Sequence, residues 1–318
     1  MTKFQTSKNR LWDKRKPDVT VITPFFNRSS VLRRCMNSVA AQTYKNFEYI
    51  IVDDGSVENN DEMIYSFMDQ AGIAVLYIKK KNGGVHTARN AGIRYARGKY
   101  TVFLDSDDEL LPDALQVLIQ AWEKIPAYER NRYFEIKARC IDQNGTQLGE
   151  RFPDGINELP YEKAVKIYEK IQAEHIGIRR TRILQANPWP EPDGITFVQE
   201  NIIWYRLRRK YKSFFINEIV RVYHTETEHS IVNNHRYSIQ HCKNTLWGCE
   251  YMLNHWKLYH TMNSYFKLVM LRNVLRRILE WKNEQVHSEL LGKAAHLMAG
   301  LFYVPSVPMA IIYSRIRL

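Results

Sequence analysis

The sequence predicts an α/β protein with an open, mostly parallel β-sheet flanked by helices and followed by a helical C-terminal extension. Two short apolar runs, at 19–26 and 48–52, are rich in β-branched residues and bounded by turn residues, as buried strands are. Between them, residues 29–41 place apolar side chains at helical spacing. A strand, a helix and a strand in this order form a βαβ unit with parallel strands.

The same alternation continues to about residue 125. It predicts further elements in this part of the chain: helices at 62–71, 86–97 and 113–122, and strands at 74–78 and 100–104. Beyond residue 125 the pattern is less regular and predicts strands at 134–141 and 214–223, and helices at 161–173, 201–211 and over most of 237–291. Open parallel sheets bind ligands at the carboxyl ends of their strands, so motifs that follow a strand are the candidates for function.

Composition and cysteine spacing indicate a globular protein of a reducing compartment. The chain of 318 residues is 45% hydrophobic and 25% charged, so disorder throughout is excluded. Its four cysteines are widely spaced and form no Cys-x-x-Cys pair, which argues against a zinc knuckle or a disulfide framework. We therefore expect a cytoplasmic protein.

No segment reads as a secretory signal or a membrane span. The first residues are polar and lack the apolar stretch of a signal peptide. The longest apolar stretch, at 297–313, is interrupted by Pro305 and Pro308 and is not expected to cross a bilayer.

Positive charge is concentrated toward the C-terminus. The net charge is +12, and residues 235–318 hold 11 Lys and Arg against 4 Asp and Glu. Two interpretations stay open: a surface for an anionic partner, such as a membrane, or a solvated basic helix face. Nucleic acid is not an expected partner, because no recognition motif accompanies the charge.

The segment Asp105–Asp108 carries three carboxylates in four positions, directly after a predicted strand. Such a cluster repels itself unless a cation or a basic group lies beside it. Hard carboxylate oxygens suit Mg²⁺ or Mn²⁺, which bind substrate phosphates alongside one or two carboxylates. The alternative is a turn or a helix start, since Pro112 follows shortly.

Two other motifs also follow strands. Asp53 and Asp54 directly follow the strand at 48–52 and could accept hydrogen bonds from a base or a ribose, although an Asp-Gly turn would also explain them. The pair Gly83–Gly84 precedes a predicted helix that carries Arg89, an arrangement that brings backbone N–H groups to phosphate. A plain helix-capping turn would also explain it.

Taken together and in order, these motifs resemble those of family 2 glycosyltransferases. The resemblance rests on VTVITPFFN at 19–27, VDDGS at 52–56, NGG with ARN at 82–90, and FLDSDD at 103–108. It covers residues 17–125 and implies the GT-A fold, a Rossmann-like nucleotide-binding sheet. On this basis we expect an N-terminal arm (1–16), a catalytic domain (17–234) and a basic helical region (235–318). The catalytic domain would comprise a nucleotide-sugar-binding half (17–125) and an acceptor-binding half (126–234).

The resemblance also assigns roles to residues. It implies that Asp107 holds the Mn²⁺ or Mg²⁺ ion that bridges the donor's two phosphates and neutralises the departing nucleoside diphosphate. It implies that nine further residues bind the nucleotide: Pro24, Phe25, Asn27, Asp53, Asp54, Gly84, Arg89, Asp105 and Ser106.

The catalytic base is where the sequence departs from the family pattern. Relatives place a Glu-Asp pair at the start of a later helix, with the Asp as base, whereas this chain has Glu200 followed by Asn201. Either Glu200 is the base, which we favour, or the base lies elsewhere and the enzyme is impaired. In a loop that closes over the diphosphate in relatives, His224 is the first choice for a further metal ligand and His229 the second, and Ser230 is a candidate phosphate contact.

The resemblance implies an inverting transfer from a nucleotide-diphosphate sugar, with uridine diphosphate expected, to a glycan or lipid-linked glycan. Aromatic, aliphatic and basic residues alternate at helical spacing over 255–279. This stretch predicts either peripheral contact with the inner face of an anionic cell membrane or packing on the catalytic domain or a second subunit. A different class of function also stays open: a nucleotide-sugar or glycan-binding protein that has kept the fold without the activity.

Overall fold

A computed structural model describes residues 4–14, 16–159, 163, 164, 167, 171, 174–225, 238–255, 262–282 and 284 of the chain. The chain divides into two compact units. The first consists of Met1–Pro188 and Leu207–Thr227, and the second of Trp189–Arg206 and Glu228–Leu318. Residues 189–206, predicted as part of the catalytic domain, thus group with the C-terminal region, and the chain leaves the first unit shortly before residue 235.

The first unit contains a sheet in the order β1-β4-β3-β2-β5-β8-β7-β9-β6. The strands are β1 (Gln5–Lys8), β2 (Val19–Phe25), β3 (Phe47–Asp53), β4 (Ala74–Lys79), β5 (Tyr100–Phe103), β6 (Glu109–Leu110), β7 (Tyr133–Asp142), β8 (His175–Arg180) and β9 (Lys212–Tyr223). The pairs β2–β3, β3–β4, β2–β5 and β7–β9 are parallel, and β1, β8 and β6 run in the opposite direction to the other strands. The predicted α/β class with a mostly parallel sheet is confirmed.

The described helices are α1 (Ser29–Ala40), α2 (Asp61–Gln70), α3 (Val85–Tyr95), α4 (Ala114–Lys124), α5 (Thr181–Gln185), α6 (Asn201–Arg208), α7 (Ile239–Asn254) and α8 (Met262–Trp281). Within the helical region predicted over 237–291 the structure describes α7 and α8, and the other residues of that region lie largely outside the described residues. The helix predicted over 161–173 also lies largely outside them. Helix α6 ends at Arg208, three residues earlier than predicted, and β9 begins at Lys212. No described helix is both long enough and apolar enough to cross a bilayer.

The core lies between the sheet and its helices because the strands have apolar residues on both faces. Every residue of β2 and β3 is buried, as expected for central parallel strands. Helix α3 packs unusually close to β2: a Cβ added to Gly92 would lie 2.6 Å from Cγ2 of Ile22. Only glycine allows this contact, which fixes the helix that carries Arg89 against the sheet.

Three strands, β1, β6 and β8, were not predicted. Strand β1 is polar (Gln-Thr-Ser-Lys) and pairs with β4 at the sheet edge, so part of the predicted N-terminal arm belongs to the sheet. Strand β6 has only two residues, and β8 has only two large apolar ones, Ile176 and Ile178. Their position in the sheet depends on partners that are distant in sequence.

Candidate active site

The loops after β2 and β5 meet at the point where the strand order reverses. Strand β2 has β3 on one side and β5 on the other, and both pairings are parallel. The chain therefore builds outward from β2 in two directions, which leaves a crevice at the carboxyl ends of β2 and β5. Open α/β sheets bind their ligands in such a crevice.

The loop after β2 is fixed by the loop after β3. Asn27 has a positive φ of 50°, a conformation that asparagine tolerates better than most residues. Its backbone N–H donates to Oγ of Ser56 at 3.0 Å, and its Oδ1 accepts from the N–H of Val57 at 2.9 Å. Pro24 and Phe25, predicted to line the base pocket, are the buried last residues of β2. The backbone that leads to Arg28 is therefore held in place.

Asp53 ends β3 with both carboxylate oxygens engaged. Oδ1 accepts from the N–H of Ser56 at 2.7 Å, and Oδ2 accepts from the hydroxyl of Tyr77 at 3.3 Å. The residue is buried. These bonds shape the loop after β3, and the predicted contact of Asp53 with the base or ribose stays a prediction.

Asp54 organises the glycine turn before α3. Its Oδ1 accepts from the N–H of Gly83 at 3.1 Å and its Oδ2 from the N–H of Gly84 at 2.7 Å. Gly84 directly precedes α3 and has a φ of 92°, which residues other than glycine rarely adopt. The sequence suggested that these N–H groups face phosphate, but in the structure they bind a carboxylate of the protein itself.

Lys80, which the sequence did not single out, completes this turn. Its Nζ lies 2.5 Å from Oδ1 of Asp54, 2.7 Å from the carbonyl oxygen of Lys81 and 2.8 Å from Oγ1 of Thr87. The side chains of Lys80 and Asp54 are only 4% and 5% exposed. Burial raises the pKa of Asp54, and the ion pair with Lys80 opposes that shift. The buried pair connects β3, the glycine turn and the first turn of α3.

Arg89 and Asp105 form the first ion pair at the crevice. Nη2 of Arg89 lies 2.9 Å from Oδ1 of Asp105, and its guanidinium lies over the ring of Phe103, 5.6 Å from the centroid. The side chain of Arg89 is buried, whereas that of Asp105 is 44% exposed. The structure thus brings together two residues that were predicted separately as nucleotide contacts.

Asp107 is paired with a residue that the sequence analysis did not identify. Nη1 of Arg28 lies 2.9 Å from its Oδ2, and Nη2 of Arg34 donates to its backbone oxygen at 2.8 Å. Ser106, between the two acidic residues, is buried, and its predicted nucleotide contact stays a prediction.

Asp108 is the buried acid of this segment. Oδ1 accepts from the N–H of His224 at 3.1 Å, and Oδ2 lies 3.3 Å from Nη1 of Arg221. Burial raises its pKa to about 7, although Arg221 lowers it, and the charges of Asp105 and Asp107 raise it further. Asp108 thereby ties the acidic segment to the end of β9.

The imidazole of His224 contacts Glu109. Its Nε2 lies 2.8 Å from Oε1 of Glu109, which also pairs with Nε of Arg34 at 3.2 Å. The predicted role of His224 as a further metal ligand stays a prediction. His229 and Ser230 lie outside the described residues.

The contacts of the acidic segment show how well its residues fit the predicted divalent cation. Each carboxylate between Asp105 and Glu109 has an arginine beside it, so the mutual repulsion that argued for a cation is already relieved by the protein. Among the described residues, no three His, Cys, Asp or Glu side chains are grouped closely enough to hold a metal by themselves. Asp105 and Asp107 nevertheless fit Mn²⁺ or Mg²⁺, because these ions need only one or two carboxylates when substrate phosphates and water supply the other ligands.

Glu200 belongs to the second unit. It is exposed, directly precedes α6, and its Oε2 accepts from Nε1 of Trp204 at 3.3 Å. Trp204 packs edge-on against Trp189 at 5.2 Å. Oδ1 of Asn201 is buried and has no hydrogen-bond partner among the described residues.

The sheet order and the acidic segment after β5 define a glycosyltransferase fold of the GT-A type, and comparison with known proteins agrees. Residues 20–144 match the profile of glycosyl transferase family 2. The resemblance that the motifs predicted is therefore confirmed for this segment of the chain.

Two relatives illustrate the similarity in sequence. Glycosyltransferase GlyA of Streptococcus pneumoniae is 39% identical over 113 residues, which are 35% of this chain and 15% of GlyA. The GalNAc(5)-diNAcBac-PP-undecaprenol beta-1,3-glucosyltransferase of Campylobacter jejuni is 26% identical over 218 residues, which are 68% of this chain and 67% of that enzyme. The match thus spans only a minor part of GlyA but two thirds of the Campylobacter enzyme.

Solved structures share the fold over nearly the whole chain. Residues 1–349 of S. aureus TarS in complex with UDP-GlcNAc give a TM-score of 0.59 at 14% identity, covering 94% of this chain and 93% of that one. The mannosyltransferase PcManGT of Pyrobaculum calidifontis, in complex with GDP-Man and Mn²⁺, gives 0.54 at 14% identity, covering 95% and 87%. At this level of identity the likeness establishes the fold alone.

Proposed function

We propose that the protein is an inverting, metal-dependent glycosyltransferase that takes a sugar from a nucleotide-diphosphate sugar. The observation that carries the proposal is the position of Asp105 and Asp107 at the crevice between β2 and β5, each beside an arginine. Carboxylates there suit a cation, and arginines suit phosphate oxygens. Such a set matches a ligand that carries a diphosphate and a divalent ion.

In this proposal the residues of the crevice stabilise the leaving group. Asp107 and Asp105 would hold Mn²⁺ or Mg²⁺, which supplies a Lewis acid for the charge that grows on the departing nucleoside diphosphate. Arg89 adds a second positive charge from a buried and fixed position, which needs little reorganisation during the reaction. The glycine turn, fixed by Asp54 and Lys80, keeps α3 and therefore Arg89 in place.

Glu200 is the base that we propose for the acceptor hydroxyl. The acceptor oxygen attacks the anomeric carbon from the face opposite the leaving group, so its proton has to pass to a carboxylate on that face. Asn201, at the position of the family's usual base, is an amide and does not accept a proton usefully at neutral pH. Glu200, exposed at the start of α6, has the required chemistry.

Donor and acceptor are proposed from the relatives. TarS was solved with UDP-GlcNAc and PcManGT with GDP-Man, and we propose a uridine diphosphate donor for this chain. The undecaprenol-linked substrate in the name of the Campylobacter enzyme supports a glycan or lipid-linked glycan acceptor. Peripheral contact with the inner face of the cell membrane would fit such an acceptor, and this contact and a homo-oligomeric state stay predictions.

A thermal-shift panel tests donor and metal together. UDP-, GDP- and TDP-sugars are added with Mn²⁺, with Mg²⁺ and with a chelator, and the unfolding temperature is measured. We expect stabilisation by a UDP-sugar that depends on the divalent ion, because a ligand that binds only the folded state raises its stability. Stabilisation by no nucleotide sugar under any of these conditions would overturn the proposal.

A second candidate function rests on Asn201: a binding protein that holds the nucleotide sugar without transferring the sugar. It predicts metal-dependent stabilisation by the donor but no release of nucleoside diphosphate, with or without acceptor. The enzyme proposal predicts release, and it predicts that Glu200→Gln slows transfer by about 10²–10⁴-fold at unchanged donor affinity. Asn201→Ala is the neighbouring control, and turnover by Glu200→Gln at the normal rate would remove Glu200 from the mechanism.

A further inference from the structure

Arg28 occupies the carboxylate that the proposed metal would need. Its Nη1 lies 2.9 Å from Oδ2 of Asp107, across the crevice between β2 and β5. The two side chains are 13% and 21% exposed, so the pair is partly shielded from water but not sealed. A divalent ion on the same oxygen would lie next to the guanidinium, and two positive charges at such a distance repel strongly.

Among the arginines of the crevice, Arg28 is the candidate to compete with a divalent ion for Asp107. Arg89 pairs with Asp105 and lies over Phe103, and the side chain of Arg221 is 7% exposed beside Asp108. Arg34 donates to the backbone oxygen of Asp107 and pairs with the carboxylate of Glu109. Arg28, by contrast, binds the carboxylate of Asp107 itself, through Nη1 to Oδ2.

We infer that Arg28 couples the binding of the divalent ion to the binding of the nucleotide diphosphate. Without nucleotide, Arg28 holds Asp107 and competes with the ion. When both ligands arrive, the ion takes the carboxylate and the guanidinium turns to a phosphate oxygen of the donor, which it can bind in bidentate fashion. The inference rests on the proposed function and assigns to Arg28 a role within it.

The surrounding backbone permits this exchange. Asn27, directly before Arg28, is held to Ser56 and Val57 by two hydrogen bonds, so the Cα of Arg28 has a fixed position. The long arginine side chain can then move its head group between two acceptors by rotating its own torsions. The nucleotide diphosphate draws Arg28 away from Asp107 and so helps the divalent ion to bind. Because this coupling is reciprocal, the ion also helps the nucleotide to bind.

The test measures Mn²⁺ affinity by isothermal titration calorimetry, with and without UDP, at constant ionic strength. For the natural protein we expect weak Mn²⁺ binding alone and at least about tenfold tighter binding with saturating UDP. In Arg28→Gln the carboxylate has lost its competitor, so Mn²⁺ should bind about tenfold more tightly without UDP. The enhancement by UDP should be clearly smaller than in the natural protein, because only the part due to the phosphate ligands of the ion remains. Arg28→Lys keeps the charge and should lie between the two.

Arg33→Gln is the matched control, because it removes the same charge from the neighbouring turn of α1, where Arg33 is exposed. Its Mn²⁺ affinity should stay within about twofold of the natural protein's. If Arg28→Gln binds Mn²⁺ no more tightly than the natural protein without UDP, or not at all, the inference is wrong. Failure of the proposed function would look different, because UDP and Mn²⁺ would not strengthen each other's binding in the natural protein. The Mn²⁺ affinities of Arg28→Gln and Arg33→Gln without UDP would still show whether Arg28 competes with the ion.

Discussion

The carboxylates after β5 each have an arginine of their own, whereas Glu135, near the start of β7, is one carboxylate shared among several cations. Nε of Arg179 and Nε of Arg208 both lie 3.2 Å from its oxygens, and Oγ of Ser213 donates to it at 2.7 Å. The side chain of Glu135 is 0% exposed, against 44% for Asp105 and 21% for Asp107. The two clusters share a sheet and differ in access to water.

This difference separates a charge cluster that can exchange partners from one that cannot. Burial by itself would raise the pKa of Glu135, but Lys137, Arg208 and Arg179 outweigh burial and lower the pKa to about 2. A carboxylate so surrounded stays ionised and holds β7, β8 and β9 together. In the pairs Arg89–Asp105 and Arg28–Asp107 the carboxylate is partly exposed, and in the proposed function a cation of the ligand approaches it there.

The largest effect is expected at the open cluster, and on activity. Asp107→Asn should lower kcat/KM for sugar transfer by about 10²–10³-fold, because an amide is a poor ligand for the ion and the leaving group loses its stabilisation. The free energy of unfolding should change by less than about 1 kcal/mol, since the pair with Arg28 reaches solvent. Steady-state kinetics and urea unfolding measure the two quantities. Asp113→Asn, an exposed site on the same chain segment, is the control, and a large loss of stability in Asp107→Asn would contradict the comparison.

The closed cluster should behave in the opposite way. Glu135→Gln should cost about 3–5 kcal/mol of unfolding free energy, because it leaves buried guanidinium groups without their counter-charge. Glu218→Gln removes a carboxylate that is 45% exposed and paired with Lys124, and should change stability by less than about 1 kcal/mol. Chemical denaturation of both variants measures the difference. Equal stabilities would mean that the shared carboxylate is no more important than a surface one.

Two adjacent lysines sharpen the comparison further. Lys80 is 4% exposed and pairs with Asp54, whereas Lys79 is 34% exposed and pairs with Asp61. Lys80→Met should cost about 1–3 kcal/mol, less than Glu135→Gln, because two backbone N–H groups still satisfy Asp54. It should also weaken UDP binding through the glycine turn. Lys79→Met should change the free energy of unfolding and the UDP affinity little. Equal UDP affinities in the two variants would mean that the glycine turn does not contribute to nucleotide binding.

The sequence was informative wherever the structure depends on neighbours along the chain. The apolar run at 19–26 predicted β2 to within one residue, and the periodicity over 29–41 predicted α1 equally closely. The acidic segment was correctly predicted to follow a strand, β5. Strand β8 was missed because its buried Arg179 reads as a surface residue until Glu135 is placed beside it.

The partners of the acidic residues were beyond the reach of pattern alone. Arg28 lies 79 positions from Asp107, and Arg221 lies on β9, far along the chain from Asp108. The sequence did indicate that a cation or a basic group has to balance these carboxylates, without deciding which. The structure provides arginines, and in the proposed function a divalent ion would compete with them for these carboxylates.

The smallest effect concerns His86, a neutral group between the cations of the site. It is buried on the first turn of α3, and neither ring nitrogen has a hydrogen-bond partner among the described residues. Burial, together with the charges of Lys80 and Arg89, lowers its pKa to about 4. The folded state thus holds His86 neutral, while the unfolded chain takes up a proton as the pH falls through 6.5. Its contribution to stability is complete above that pH and is lost as the pH falls toward 4.

Urea unfolding at pH 7.5 and pH 5.0 measures whether the contribution of His86 to stability is lost as the pH falls. Other groups titrate as well, so the informative quantity is the loss of stability between the two pH values in the natural protein minus that in His86→Gln. We expect this difference to reach at most about 2 kcal/mol, because about one and a half pH units separate pH 5 from the unfolded pKa. His255→Gln, which removes an exposed histidine at the end of α7, is the control and should leave the loss unchanged. If His86→Gln loses as much stability on acidification as the natural protein, His86 is protonated in the folded state and the cations around it are less closely packed than the structure indicates.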